Sequence, residues 1–355
     1  MRIAQVAPLF ENVPPSQYGG TERVVSYLTE ELVRQGHRVT LFATAGSRTS
    51  AELVPIVDRP LRGNPHWMLH ALIQLERVVE RAEDFDVLHF HTDHLHYPLL
   101  RYLPVPAVTT LHGRLDLPGL EPLHEVYSDA AVVSISDAQR SPLPDARWVA
   151  TVPHGLPPTL YRPGNGSGGY LAFVGRMSPE KRVDRAIEIA RRAGLPLHIG
   201  AKVDPADRKY FEREIEPLLA TPGVEFLGEL NDRQKGDLLA DARALLFPID
   251  WPEPFGLVMV EAMACATPVL AFRGGSVEEI LQAGVTGAIV DTVDEAVAAL
   301  PSVLALDRAR CREEFERRFS ARRMAKDYVR VYERLMDTSR RAPAPGWSAG
   351  AASHG

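Results

Sequence analysis

Residues 252–269 read PEPFGLVMVEAMACATPV, from Pro252 to Val269. Two glutamates, Glu253 and Glu261, stand eight positions apart, with Phe255-Gly256-Leu257 and an apolar run between them. Glu253 lies between two prolines, and a residue that precedes proline is pushed toward extended geometry, so a loop holds it. The Met, Ala, Val and Glu run that follows reads as a helix. Apolar stretches at Ala244–Phe247 and Pro268–Phe272 flank it and read as strands. Strand, helix, strand implies a parallel sheet.

The alternation extends in both directions. Ile3–Ala7 reads as a buried strand. The segment GGTERVVSYLTEELVRQG reads as a helix with Thr21 as N-cap, an apolar face of Val24, Val25, Leu28 and Leu32, and Gly36 as its stop. Strands are predicted at Arg38–Ala43, Val87–Phe90, Ala107–Leu111, Ala131–Ile135 and Trp148–Val152, with a helix over Trp67–Arg81. A stretch rich in proline and glycine near residues 155–169, ending GNGSGG, reads as a linker. Beyond it the pattern restarts. Strands are predicted at Leu171–Val174, Leu197–Ile199, Val224–Leu227 and Gly287–Val290, and helices at Pro179–Ala193, Asp232–Ala242 and Val277–Ala283. The expected architecture is therefore α/β: two Rossmann-like domains with parallel sheets, covering residues 1–157 and 158–320. A last helix is predicted over residues 321–337, and residues 338–355, small, polar and proline-bearing, read as a disordered tail.

The totals agree with two domains. A chain of 355 residues exceeds what one core usually supports. Net charge is −6, which gives no general affinity for nucleic acid. The first 158 residues hold 13 arginines, no lysine and 18 acidic residues, net −5, which argues against docking on an anionic membrane through that half. The only cysteines, Cys265 and Cys311, make neither a disulfide framework nor a zinc pattern. The N-terminus shows no charged leader followed by an apolar core, and no apolar run approaches a membrane span. A cytoplasmic protein is expected.

The chemistry follows from the opening stretch. The first turn of a helix offers unpaired N–H groups and a positive dipole end, which suits a phosphate, and glycine lets a ligand approach closely. Glu261 falls on an otherwise apolar element, and a buried carboxylate needs donors. Vicinal hydroxyls would serve. A second stretch, LAFVGRMSPEKRVDRAIEIA, reads as strand, Gly175-Arg176 turn and helix, with Ser178 as N-cap and Pro179 at the first position. Arg176 and Lys181 flank that helix start as a diphosphate clamp. Together these features fit a sugar nucleotide.

The order GRMSPEKRVD, FLGEL, then PEPFGLVMVEAMACATPVLA resembles the donor domain of retaining glycosyltransferases of family 4. YGGTERVVSYLTEELVRQGHRVTLFA resembles that family's first strand, loop and helix. The resemblance implies the GT-B fold, two Rossmann-like domains facing across a cleft, with the C-terminal helix packed back on the first domain. It implies that Arg176 and Lys181 bind diphosphate, Glu261 binds ribose, and Glu253 with the amides of Phe255, Gly256 and Leu257 holds the transferred sugar. It further implies that the Leu227-Gly228-Glu229 turn faces the base and that Gly19 and Gly20 let the first loop approach the phosphates. Gly175 belongs to the donor site, and His112, in TTLHGR, lies near sugar and phosphate. One departure stands out. The family commonly shows P-N-G where this chain has Pro153-His154-Gly155. His154 is therefore read as a hinge residue without a catalytic role.

Histidines 89, 91, 94 and 96 cluster in VLHFHTDHLHYP. They lack a carboxylate-completed ligand set, so His91, Asp93 and His94 are read as an acceptor-pocket wall beyond the strand ends. No nucleotide-binding P-loop or dinucleotide fingerprint is present. Asp84-Phe85-Asp86 leads into a strand instead of ending one and is set aside as a metal motif. The expectation is retaining transfer of a hexose, glucose-type, from a UDP-linked sugar to an acceptor hydroxyl on a small molecule or saccharide. No cofactor and no obligatory metal are expected, and no nucleic acid partner. Two other classes remain open: a sugar-nucleotide binder without turnover, and a GT-B-type epimerase.

Overall fold

The computed structural model describes residues 1–17 and 19–341 and resolves the alternation into two parallel sheets. The first holds β1 Arg2–Val6, β2 Arg38–Ala43, β3 Glu52–Pro55, β4 Val87–Phe90, β5 Ala107–Thr110, β6 Val132–Ser134 and β7 Trp148–Thr151. Its order is β3-β2-β1-β4-β5-β6-β7. The second holds β8 Leu171–Arg176, β9 Leu197–Lys202, β10 Val224–Gly228, β11 Ala244–Phe247, β12 Val269–Phe272 and β13 Gly287–Val290, in the order β10-β9-β8-β11-β12-β13. Central strands such as β4, β11 and β12 are buried at every position, as in sheets covered on both faces. In each sheet the order reverses beside its first strand, between β1 and β4 and between β8 and β11. Ligands of open parallel sheets bind outside the strand ends at such points.

The edge strand β3 was not anticipated. It has only four residues, including a glutamate and a proline, and it exists through its register with β2, Thr40 against Glu52 to Ala43 against Pro55. Two helix starts also differ from expectation. The first helix, Gly20–Arg34, begins before Thr21, with Gly19 as its cap at φ 151°. A Cβ on Gly19 would lie 2.9 Å from Pro15, so the entry requires glycine. After β8, Ser178 makes no capping bond. A short turn, Pro179–Lys181, is followed by Arg182 at φ 51°, and the helix proper is Val183–Ala193. In this left-handed conformation the guanidinium of Arg182 holds Asp184 at 2.8 Å and Asp250 at 2.9 Å.

The chain crosses between domains at Gly155-Leu156 and returns at Ser320-Ala321. Leu156 N donates to Phe319 O at 2.9 Å, and Ala321 N donates to Leu156 O at 2.8 Å. A Cβ on Gly155 would come within 2.4 Å of Ser320 O, so only glycine fits there. The terminal helix, Ala321–Arg341, packs back on the first domain: Tyr332 Oη lies 2.7 Å from His89 Nδ1, and Tyr328 Oη lies 2.9 Å from Thr110. The helix runs past Asp337, so residues 338–341 are helical where a disordered tail was expected. Residues 342–355, the rest of that expected tail, lie outside the described residues. Among the described residues no helix is long and apolar enough to cross a membrane. Cys265 and Cys311 are both free and buried, and burial pushes their thiols up to about 12 and about 11.

Candidate functional site

Two cavities meet where the strand ends of the two sheets converge. The larger, about 1060 Å³, is lined by loops after β1, β4 and β5 together with residues 251–257. The smaller, about 310 Å³, is lined by the ends of β8 and β9, by Glu229 and Leu230 after β10, and by Glu253 and Glu261. They share Gly19, Gly20, Trp251, Glu253, Gly256 and Leu257.

The Glu253 loop is clamped from both domains. Ser276 N donates to Glu253 O at 2.9 Å, and Ser276 Oγ donates to Phe255 O at 2.8 Å. Across the domain boundary Ser136 Oγ donates to Pro254 O at 2.6 Å. Gly275, at φ 55°, lies so close that a Cβ would sit 2.2 Å from Glu253 O. Gly256, at φ 76°, then caps the helix Leu257–Ala264, which carries Glu261.

Each glutamate meets a lysine. Glu253 Oε2 accepts from Lys181 Nζ and, at 3.0 Å, from Trp251 Nε1. Glu261 Oε1 accepts from Lys235 Nζ at 2.5 Å and from Tyr161 Oη at 3.4 Å. Both carboxylates are buried, and among the described residues Glu253 Oε1 and Glu261 Oε2 accept no hydrogen bond. Arg176 closes the rim, held to Glu180 at 2.6 Å and to Asp207 at 3.8 Å. The smaller cavity thus gathers the cations Arg23, Arg176, Lys181, Lys202 and Lys235 against the carboxylates Glu229, Glu253 and Glu261. The excess of positive charge suits a polyanionic ligand.

Histidines line the larger cleft. His91 Nε2 donates to Gln5 Oε1 at 2.8 Å, which leaves His91 Nδ1 to accept from His112 Nε2 at 2.9 Å. Gln5 Nε2 donates to Tyr332 Oη at 3.2 Å, so the chain of bonds runs from the terminal helix to the cleft. Burial lowers the pKa of His112 to about 3 and those of His91 and His154 well below the ordinary value, so all three rings are neutral at neutral pH. The rings of His112, His154 and Phe255 form a row, with centroids 5.2 and 4.8 Å apart. His154 is thus more than the hinge residue read from the sequence: it packs the first domain's His112 against the second domain's Phe255.

The structure brings most of the expected site residues to these two cavities. Gly19, Gly20, Glu253, Gly256 and Leu257 line both; Gly175, Arg176, Lys181 and Glu261 line the smaller; His91, Asp93, His94, His112 and Phe255 line the larger. Asp93 opens onto the cleft at φ 52°, and the protein around it pushes its carboxyl up. Leu227 and Gly228 line neither cavity. Gly228, at φ 72°, turns the chain so that Glu229 and Leu230 are the residues presented. Of the other clustered histidines, His89 binds Tyr332 and Thr110, and His96 binds Thr109, so both are structural. Among the described residues no group of three His, Cys, Asp or Glu side chains could hold a metal ion.

Three cations were missed: Arg23, Lys202 and Lys235. Lysine is scarce in this chain, with five residues, and that scarcity is a signal that marks Lys235 as well as Lys181. Arg23 sits beside Val24 and Val25 at the buried start of its helix, where an arginine needs a partner; Asp232 of the other domain supplies it.

Residues 164–320 match the family model described as Glycosyl transferases group 1, and residues 18–166 match the one described as Glycosyltransferase Family 4. The chain is 28% identical over 336 residues to an alpha-maltose-1-phosphate synthase of Mycolicibacterium smegmatis, covering 81% of this chain and 84% of the relative. The fold superposes on sucrose-phosphate synthase from Thermosynechococcus elongatus with a TM-score of 0.77 at 19% identity, covering 95% of this chain and 100% of that one. It also superposes on Anabaena HepE in complex with UDP and glucose, with a TM-score of 0.73 at 18% identity, covering 94% and 100%. Two facing parallel sheets, paired glutamates at the second sheet's strand ends and two family matches that together span residues 18–320 lead to one conclusion: the chain belongs to glycosyltransferase family 4, on the GT-B fold.

Proposed function

We propose that this glycosyltransferase moves a hexose from a nucleoside diphosphate sugar to an acceptor hydroxyl with the anomeric configuration retained. One observation carries the reading. Lys181–Glu253 and Lys235–Glu261 pair within a single cavity that Arg23, Arg176 and Lys202 also line. In this reading Arg176 and Lys181 meet the diphosphate, and the first amides of the helix Leu257–Ala264 assist. Glu261 Oε2 receives the ribose hydroxyls, and Glu253 Oε1 the hexose. The acceptor oxygen enters from the larger cleft at the rim the two cavities share. The bond from the anomeric carbon to the diphosphate breaks as the bond to the acceptor oxygen forms. A diphosphate oxygen takes the acceptor's proton, and the cations stabilise the charge on the leaving group. His112, neutral, borders sugar and phosphate. The same cations neutralise the diphosphate without an obligatory metal.

UDP and a glucose-type sugar are the donor we favour. The complex of HepE with UDP and glucose supports that choice. Free buried thiols fit a reducing, cytoplasmic setting.

The test is a panel of sugar nucleotides, read by titration calorimetry and nucleotide release, on the wild type and on Glu261→Ala. The expected result is that one diphosphate sugar binds, releases nucleotide slowly, and loses both properties in the variant. No binding by any sugar nucleotide would sink the reading. Binding without release would indicate a binder, and an altered sugar still joined to its nucleotide an epimerase.

A further inference from the structure

The two cavities differ in chemistry. The smaller is cationic and polar. The larger, away from the shared rim, is walled by Phe10, Trp67 and Leu75 and by Leu95, Leu123 and Tyr127. Phe10 and Trp67 touch at 5.3 Å between ring centroids. The wall continues outward along the helix Trp67–Glu80, whose Met68, Leu69, Leu72 and Ile73 are at least half exposed. The cations that face this cleft are already engaged: Arg62 holds Glu11 at 2.5 Å, and Arg114 holds Asp116 at 2.7 Å. Its acidic residues, Glu22, Asp93 and Glu253, outnumber those arginines and would repel a phosphate.

A saccharide acceptor needs hydrogen-bonding partners on every side; His91, Thr92, His94 and His112 offer them on one wall, but hydroxyls left against Phe10, Trp67 and Leu75 cost free energy for each unpaired group. A phosphorylated acceptor needs an excess of positive charge, as in the smaller cavity. Neither fits. An apolar body does, since burying it against aromatic and aliphatic walls is favourable in proportion to the area covered. The volume of about 1060 Å³ is at the upper end for small-molecule pockets.

Resting on the transferase reading above, we infer that the acceptor is an uncharged hydroxyl borne on an aromatic or alicyclic apolar body, gripped by Phe10, Trp67 and Tyr127. Only its hydroxyl reaches the polar rim at His91, His112 and Glu253. Such a hydroxyl can come from a free aglycone or from a neutral membrane lipid, and the exposed helix face suits either source.

The experiment measures transfer from the donor identified above. Acceptors are 4-methylumbelliferone, cholesterol in phosphatidylcholine vesicles, maltose and glucose 6-phosphate. Wild type is compared with Trp67→Ala and with Ala71→Trp, which fills the cleft. Transfer to 4-methylumbelliferone identifies the free source, and transfer to the vesicle lipid the membrane source. In either case both variants are expected to raise the acceptor KM about tenfold, while calorimetry still shows donor binding. Transfer to maltose or glucose 6-phosphate alone, or to none of the apolar alcohols, overturns the inference. So does an acceptor KM that neither variant changes. Absence of any donor binding or nucleotide release instead condemns the transferase reading on which it rests.

Discussion

Lys235 Nζ lies 2.5 Å from Glu261 Oε1, and the same ammonium is 3.4 Å from Asp232. Asp232 in turn binds Arg23 from the first helix of the other domain. Glu261 is therefore tied through Lys235 and Asp232 to the facing domain. Removing one member of a buried pair strands the other charge. Lys235→Met is expected to cost about 3 kcal/mol of stability in a urea titration. The double variant Lys235→Met with Glu261→Gln is expected to regain most of that loss, yet calorimetry should still find weakened donor binding. Recovery of affinity together with stability would show that the pair is structural only.

In the proposed reaction Glu253 acts on turnover more than on stability. Its Oε2 is held by Lys181 and Trp251, and the residue lines both cavities. Glu253→Gln keeps the shape but removes the charge that orients Lys181. Nucleotide release is expected to fall about a hundredfold, while the donor Kd changes far less. A fall in affinity as large as the fall in rate would move Glu253 from the reacting sugar to simple binding.

The buried histidines predict how stability depends on pH. Burial lowers His112 and His96 to about 3 and His124 to about 4. Below the ordinary value near 6.5 the unfolded chain binds these protons and the folded chain does not. Stability is thus complete above pH 6.5 and is lost as pH falls toward those lowered values, by about 1.4 kcal/mol per pH unit per histidine. His124 is the cleanest probe: neither ring nitrogen has a partner, and it packs against Tyr97 at 5.5 Å. His124→Phe is expected to flatten the fall in melting temperature between pH 6.5 and 4. An unchanged slope would mean that the ring is already charged in the folded state.

The two sheets and the two glutamates were legible because they rest on local signals. Apolar runs at strand length and the proline-flanked Glu253 need no distant partner to be read. Lys235 was not legible. It sits on the helix Asp232–Asp241 among Asp, Arg and Gln, which reads as a solvated face, and it is buried only because Glu261 arrives from another element. The packing of His154 was hidden for the same reason, since Phe255, which meets its ring edge-on, comes from the other domain. Ser178 looked like a cap, but Arg182, paired with Asp184 and Asp250, takes a left-handed conformation that breaks the helix behind it. What the sequence hides is pairing between elements far apart in the chain, and such pairing is what builds the site.

Glu279 provides the most direct test of how the domains are held together. Its Oε2 and Oε1 accept from Asp137 N and Ala138 N, each at 2.7 Å, across the domain boundary. Beside it Ser136 Oγ donates to Pro254 O, on the loop that carries Glu253. Hydrogen bonds to a charged carboxylate are worth about 1.5–3 kcal/mol each when protected, and partial exposure here reduces that. Glu279→Ala is expected to open the free protein, seen as a larger radius of gyration in small-angle X-ray scattering. Donor should restore the smaller radius, because the Lys235–Asp232–Arg23 connection still spans the domains when the cavity is filled. Turnover should fall less than for Glu253→Gln, since no group at the reacting sugar is removed. An unchanged radius in Glu279→Ala and in Glu279→Ala with Ser136→Ala would assign closure to the buried row His112, His154 and Phe255 instead.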